Sequence, residues 1–550
     1  MRSFLIIALA WLMLSIPDII NAQQNYSDHA GITQRLQTLD RQHGNLTNLK
    51  SLTKTDGDKD IWLLTIGRGD IENRPAIAVV GGVEGSHILG IELAVQFAEK
   101  LLADSQHSAL LDSVTFYVFP NLSPDASEQY FSSNLKYERS GNARITDDDR
   151  DGYSGEDGFN DLNGDGLITL FRVKDATGNW MPHPADNRVM IKADPNKGES
   201  GSWIVHSEGT DEDKDGQFNE DPPTGVHLNK NFSFRYPHFA PGAGEHAVSE
   251  KENRALLDFL FDAWNVYAVV TFSPNNNLTN PWRFNRAGIA QRIITGPYEA
   301  DTEVMGMVSE LYNGHVSKDN APSYELQPGG FLEWGYFHYG RFSFSTPAWW
   351  APKAAAPSAE ERPDGWVANS DNNPEVNFLR WAESEGLNDL FVEWQPVNHP
   401  DFPGKTVEVG GIKPFAMTTP PYSMITDIAQ NHTDFIVDLA NARPKLGFEN
   451  MNVESLGNGL TRITVDIHNH GLFPSSTQLG TRTKWVRPIN ITMELGNNME
   501  LISGRPHQQI AKLDGDSNQT YTWLVRGRGT FKLTAGTPNS GFITAEQSIR

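Results

Sequence analysis

Glu84 and His87 stand three positions apart in the segment Val79-Val80-Gly81-Gly82-Val83-Glu84-Gly85-Ser86-His87-Ile88. The apolar run from Ala76 reads as a strand, the glycine pair as a tight loop, and Ile88 as the start of a helix. A carboxylate and an imidazole are thereby set at the carboxyl end of a strand, where open α/β sheets place their ligand sites.

A second group of residues is acidic. Asp147, Asp149 and Asp151 precede Gly152, and Asp211, Asp213 and Asp215 precede Gly216, in one D-x-D-x-D-G pattern that ends in Glu156-Asp157 and Glu220-Asp221. Asp161, Asn163 and Asp165, before Gly166, repeat it as D-x-N-x-D-G. Ca²⁺ takes about six to eight oxygen ligands, and alternating carboxylates around a glycine turn converge on one point. The spacing predicts structural calcium. Arg172 stands where an EF-hand has its last glutamate, so the ligation differs from that motif. A solvated acidic loop is the competing reading.

Around these residues the chain alternates helix and strand signals. Ile32–Leu39 and Ile88–Leu102 carry helical apolar spacing, and Ile61–Ile66, Ala76–Gly81 and Val114–Phe119 read as strands. From 141 to 225 the apolar periodicity stops and glycine and aspartate dominate. It returns with a helix over Ser249–Trp264, a strand over Tyr267–Phe272, the aromatic stretch Phe331–Trp350 and a last helix over Ser423–Ala442. Beyond Pro444 the period becomes two, as in Thr461–Ile467 and Thr520–Val525, which predicts a small β-sandwich. The fold class is α/β, a mixed sheet flanked by helices, with the acidic insert and the β-sandwich added.

Composition excludes several functions. The 550 residues include no cysteine, so disulfides, cysteine-held metals and thiol nucleophiles are absent. With 45 Lys+Arg against 69 Asp+Glu the formal charge is −24, opposite to what a phosphate backbone attracts, and no nucleic-acid partner is expected. Residues 141–225 hold 19 acidic and 8 basic residues, so −11 of that charge lies in the insert. Arg2, the apolar run Phe4–Ile16 and Ala22 form a signal peptide that ends near Ala22, which predicts a secreted or periplasmic protein. That run is too short to span a bilayer. Nothing in the sequence signals an oligomeric state.

The Gly81–His87 loop resembles the Gly-Gly-x-His-Gly-x-Glu signature of the zinc metallocarboxypeptidases, the carboxypeptidase A-like peptidases. Other segments follow in the family's order across about residues 28 to 443. Phe119–Asp125 is similar to its Pro-x-x-Asn-Pro-Asp-Gly, and Val226–Phe232 to its Asp-Leu-Asn-Arg-Asn-Phe. Ser249-Glu250 with Glu252 is similar to its Ser-Glu-x-Glu, and Ser323-Tyr324, Gly329-Gly330 and Glu333-Trp334 to its substrate-side residues. Bacterial secreted members with such acidic inserts and a C-terminal β-domain are the most similar.

The resemblance implies a degenerate zinc site. Glu84 occupies the zinc His position and His87 the zinc Glu position, so the pair is exchanged. Phe272 occupies the third ligand's position, and Pro347, thirteen residues after Trp334, that of the general base. Phenylalanine ligates no metal and proline accepts no proton, whereas catalytic zinc needs three protein ligands and water. Glu84 and His87 are then expected to form a buried hydrogen-bonded pair in the vacated metal cavity. The substrate side is better matched. Asn229 and Lys230 stand where the family's Asn and Arg hold a terminal carboxylate, Tyr324 matches its mobile tyrosine, and Arg144 its oxyanion arginine. The expectation is a pseudopeptidase that binds peptide or cell-wall peptide C-termini. The alternatives are an active carboxypeptidase whose site Ser273, His206 or His246 completes, and a calcium-dependent adhesion or assembly module. The organisation expected is a signal peptide at 1–22, a carboxypeptidase-like domain at 23–443 with its insert at 141–225, and a β-sandwich at 445–550.

Overall fold

The computed structural model of the protein describes residues 25–147, 152, 154, 157–219, 225–354 and 373–549. The signal-peptide segment 1–22 and the calcium candidates Asp149 and Asp151 lie outside the described residues. Among those described, strands Thr47–Lys54, Asp60–Ile66, Thr115–Phe119, Ala76–Gly81, Val266–Phe272 and Phe342–Thr346 form, in that spatial order, a six-stranded sheet. The first two neighbouring pairs are antiparallel, and the others are parallel. Strands Thr115–Phe119, Ala76–Gly81 and Val266–Phe272 are buried at every position, which explains their unbroken apolar runs.

Helices cover this sheet. His29–Gln42 starts at Asp28, whose carboxylate accepts from the Gly31 amide, and buries Ile32, Leu36 and Leu39 at helical spacing. Ile88–Ala103 lies between the sheet and helix Ile425–Asn441 and is buried on most sides. Arg35 fixes the first helix to the second, with 2.8 Å to buried Glu92 and 2.7 Å to Glu99. Among the described residues no helix is long and apolar enough to cross a membrane.

The region 141–225 holds more regular structure than its periodicity signalled. Strands Leu170–Lys174, Trp180–His183, Asp186–Lys192 and Trp203–Ser207 join Phe391–Val397 and Val407–Ile412 in a second six-stranded sheet. These strands are short and half-buried, and they enclose only a small core of Phe171, Val173, Val407 and Val409. Such strands leave a weak pattern in sequence, and the acidic loops between them dominate the composition.

After Arg443 two four-stranded sheets pack face to face. Ile463, Val465 and Ile467 with Tyr521, Trp523 and Val525 line one inner face. Ile489, Ile491 and Met493 with Phe531, Leu533 and Ala535 line the other. Side chains two apart share a face of a strand, so the period-two pattern becomes the sandwich core. Ser423–Ala442 is not the last helix, because Gln478–Thr483 follows it. That short helix forms where Thr477 caps its start and Asp301 of helix Glu299–His315 accepts from the Gln478 and Leu479 amides.

Candidate functional site

The parallel strands bring the matched positions to one edge. Gly81 pairs with Phe272, and Phe272 with Thr346, so the chain leaves all three strands side by side at Gly82, Ser273 and Pro347. Gly82 adopts φ +69°, and a Cβ there would meet the Asn121 carboxamide oxygen at 2.4 Å, so the loop needs glycine. Helix Ile88–Ala103 approaches the neighbouring strand through Gly90, where a Cβ would lie 2.5 Å from His87 Nδ1 and 2.7 Å from the Phe272 carbonyl oxygen.

His87 is 1% exposed and sits inside this junction. Its Nε2 lies 3.2 Å from the Pro347 carbonyl oxygen. Its Nδ1 faces the Phe272 carbonyl but has no partner at full hydrogen-bond geometry. Burial pushes the imidazole down to about 4, opposed by those two carbonyls, so the ring is neutral at pH 7. Phe272 turns its ring to His432, 5.6 Å between centroids. His432 was not singled out from sequence, and both its nitrogens are engaged, Nδ1 with the Ile428 carbonyl at 2.8 Å and Nε2 with the Tyr312 hydroxyl at 3.1 Å.

Glu84 does not pair with His87, contrary to expectation. Ser140, Ser86 and Lys230 act on its carboxylate electrostatically. Burial raises its pKa and Glu138 adds to the effect, while Ser140 and Lys230 oppose it. One oxygen, Oε1, is buried without a hydrogen-bond partner. His87 Nδ1 is likewise buried without a partner, so these two atoms do not bond each other. None of the residues expected to complete a site joins it. Ser273 Oγ bonds Ser345 Oγ at 2.9 Å, His206 stacks on Phe171 in the second sheet, and exposed His246 bonds the Ala247 carbonyl.

The residues at the positions matched by resemblance to a substrate side have partners of their own. Asn229 is buried, and its Oδ1 accepts from the Phe331 amide at 3.0 Å. Lys230 Nζ reaches the Pro241 carbonyl at 3.4 Å, and its charge acts on Glu84. The Tyr324 hydroxyl donates to Glu333 Oε1 at 2.7 Å, and exposed Arg235 (φ +49°), which sequence reasoning passed over, acts electrostatically on that phenol. Arg144 does not face Glu84. Its guanidinium is taken by Glu250 at 3.1 Å and by Glu245. A long-range acid pair of that kind leaves no sequence signal.

The acidic segments regroup. Asp157 joins Asp211, Asp213 and Asp215, with one carboxylate oxygen from each within 4.8 Å of the others. Among the described residues this is the group of at least three His, Asp or Glu side chains able to hold a metal ion. Asp157 belongs to the acidic pair that closes the first segment but sits in the turn of another. Asp161 instead closes its own loop, accepting from the amides of Gly164, Asp165 and Gly166, and Asn163 bonds Asp165 at 3.0 Å. Asp147 lies apart and accepts from the Gly152 amide.

Residues 32–168 match the family described as Zinc carboxypeptidase, and residues 445–548 match a Domain of unknown function (DUF8731). Carboxypeptidase M of Mus musculus is 25% identical over 125 residues, which are 22% of this chain and 28% of that relative. This chain thus spans under a third of that relative's length. Among solved structures, bovine thrombin-activatable fibrinolysis inhibitor in complex with tick carboxypeptidase inhibitor is 11% identical with a TM-score of 0.39, covering 76% of this chain and 97% of that one. Carboxypeptidase A from Helicoverpa armigera is 13% identical with a TM-score of 0.38, covering 66% and 72%. Through the α/β segment that carries Glu84 and His87, this chain resembles the zinc carboxypeptidases.

Proposed function

We propose that the protein is an exported binder of peptide C-termini, cell-wall peptides included, built on a carboxypeptidase-like unit that does not hydrolyse its ligand. The observation that carries this reading is the engagement of His87 Nε2 with the Pro347 carbonyl, beside Phe272 and Pro347 at the other matched positions. A neutral imidazole whose Nε2 is engaged by a main-chain carbonyl, with Phe272 and Pro347 at the other matched positions, supplies too few ligands for a three-ligand metal site. Lys230 supplies a point charge for a terminal carboxylate. Export rests on the signal-peptide pattern at 1–22.

Metal analysis of the purified mature protein, with assays on peptides bearing free or amidated C-termini, tests the proposal. Expected are far less than one zinc per chain and no release of C-terminal residues. Stoichiometric zinc with turnover that a chelator abolishes would end it. Lys230→Met is expected to weaken binding of a free-carboxylate peptide about tenfold, the scale of one charged hydrogen bond, and to leave the amide's affinity unchanged. Calorimetric titration reads both, and equal losses for acid and amide would show that Lys230 does not hold the carboxylate.

The Asp157, Asp211, Asp213 and Asp215 group is proposed to bind calcium. Ca²⁺ is expected to raise the melting temperature by mass action, and Asp211→Asn with Asp213→Asn to remove the rise. An unchanged melting temperature at saturating Ca²⁺ sinks this assignment.

A further inference from the structure

The second sheet lines an open cavity of about 530 Å³ whose walls include none of Glu84, His87, Asn229, Lys230 and Tyr324 and none of the acidic-loop aspartates. Its walls combine aromatic and charged groups. Tyr137, Phe159, Phe391 and Trp394 supply ring surface. Glu138 lies at the exposed rim, and half-buried Glu375 projects from the first turn of helix Pro374–Ser384.

The cations of this wall are already neutralised. Arg188 bonds both oxygens of Asp186 at 2.9 and 2.6 Å and pairs with Glu383 at 2.7 Å. Lys413 pairs with Asp389 at 2.5 Å. Arg188 also lies over the Phe391 ring at 5.7 Å, and Arg172, outside the lining, covers the Trp394 ring at 4.1 Å and pairs with Glu408. The two carboxylates differ. Glu138 Oε1 accepts a hydrogen bond from the Phe415 amide at 2.8 Å, and among the described residues neither Glu138 nor Glu375 makes an ion pair. The lining thus presents uncompensated negative charge on an aromatic surface. Carboxylates and the ring faces of Tyr137 and Phe159, over which no cation of the described residues lies, attract cations, and the apolar wall favours a hydrocarbon body.

We propose that this cavity binds an ammonium or guanidinium group carried on an apolar body. The source is either a free amine or the basic side chain of a peptide. The proposal stands without the terminus-binding reading, since Lys230 and His87 do not line the cavity. Glu138 does connect the two places electrostatically, because it also acts on Glu84.

Calorimetric titration of the full mature chain tests it with four probes. Phenethylamine and phenethyl alcohol differ in charge on one hydrocarbon, and so do Nα-acetyl-lysinamide and Nα-acetyl-norleucinamide. Within at least one pair the cation is expected to bind about tenfold tighter than its neutral partner. Glu375→Gln is expected to abolish that preference, and Glu138→Gln, at the exposed rim, to reduce it. Selectivity confined to the first pair identifies a small amine as the source, and selectivity confined to the second identifies a peptide side chain. Three results overturn the proposal. They are neutral probes binding as tightly as cations, no saturable binding of any probe, and selectivity that survives Glu138→Gln combined with Glu375→Gln in a folded variant.

Discussion

Asp301→Ala is expected to cost about 3–5 kcal/mol and to separate the unfolding of the C-terminal sandwich from that of the α/β unit. Asp301 is fully buried on helix Glu299–His315. Its carboxylate accepts from the Tyr336 hydroxyl at 2.7 Å, the Gln478 amide at 2.7 Å and the Leu479 amide at 3.2 Å. The substitution strands a phenol and two amides at a helix start, and each unsatisfied group costs about 1–3 kcal/mol. Asp301→Asn keeps one acceptor oxygen and should lose less. Denaturant unfolding followed by far-UV circular dichroism and tryptophan fluorescence reads the effect. One transition with a loss under about 1 kcal/mol would show that Asp301 does not clasp the two parts.

Glu252→Gln is expected to make the protein more stable than the native form in mild alkali and equal to it in acid. Glu252 is 1% exposed, and neither carboxylate oxygen has a hydrogen-bond partner. Burial pushes its pKa up to about 7, with Glu250, Asp125 and Asp56 adding to the rise and the helix's own amide opposing it. The folded protein thus keeps a proton that the unfolded chain releases near 4.5. The stability contributed by that proton is complete below about pH 4.5 and is lost as pH rises through about 7. The loss amounts to about 3 kcal/mol by roughly pH 8. His87, His227 and His432, each pushed down to about 4 by burial, titrate in both proteins. The difference between native and variant across the pH range therefore isolates Glu252. Parallel stability curves from acid to alkali would contradict this account.

Much of the architecture was legible in the sequence. Strand Ala76–Gly81 and helix Ile88–Ala103 carry long, consistent apolar runs, and the sandwich strands carry an unbroken period of two. The second sheet was not legible, because half-buried strands such as Trp203–Ser207 have no position that must be apolar. Helix Gln478–Thr483 was hidden as well, since part of its cap is a residue 177 positions away.

The sequence by itself determined which residue types stand at the positions matched by resemblance, Phe272 and Pro347 among them, and it located the acidic turns. Tertiary structure alone decided their partners: His87 with the Pro347 carbonyl 260 positions away, Arg144 with Glu250, and Asp157 with the Asp211–Asp215 turn. The physical reason is range. Helix and strand periods follow from local backbone geometry and are written in neighbouring residues. A buried polar group must instead find a partner among whatever the folded sheets bring within about 3 Å, and sequence spacing carries no record of that choice.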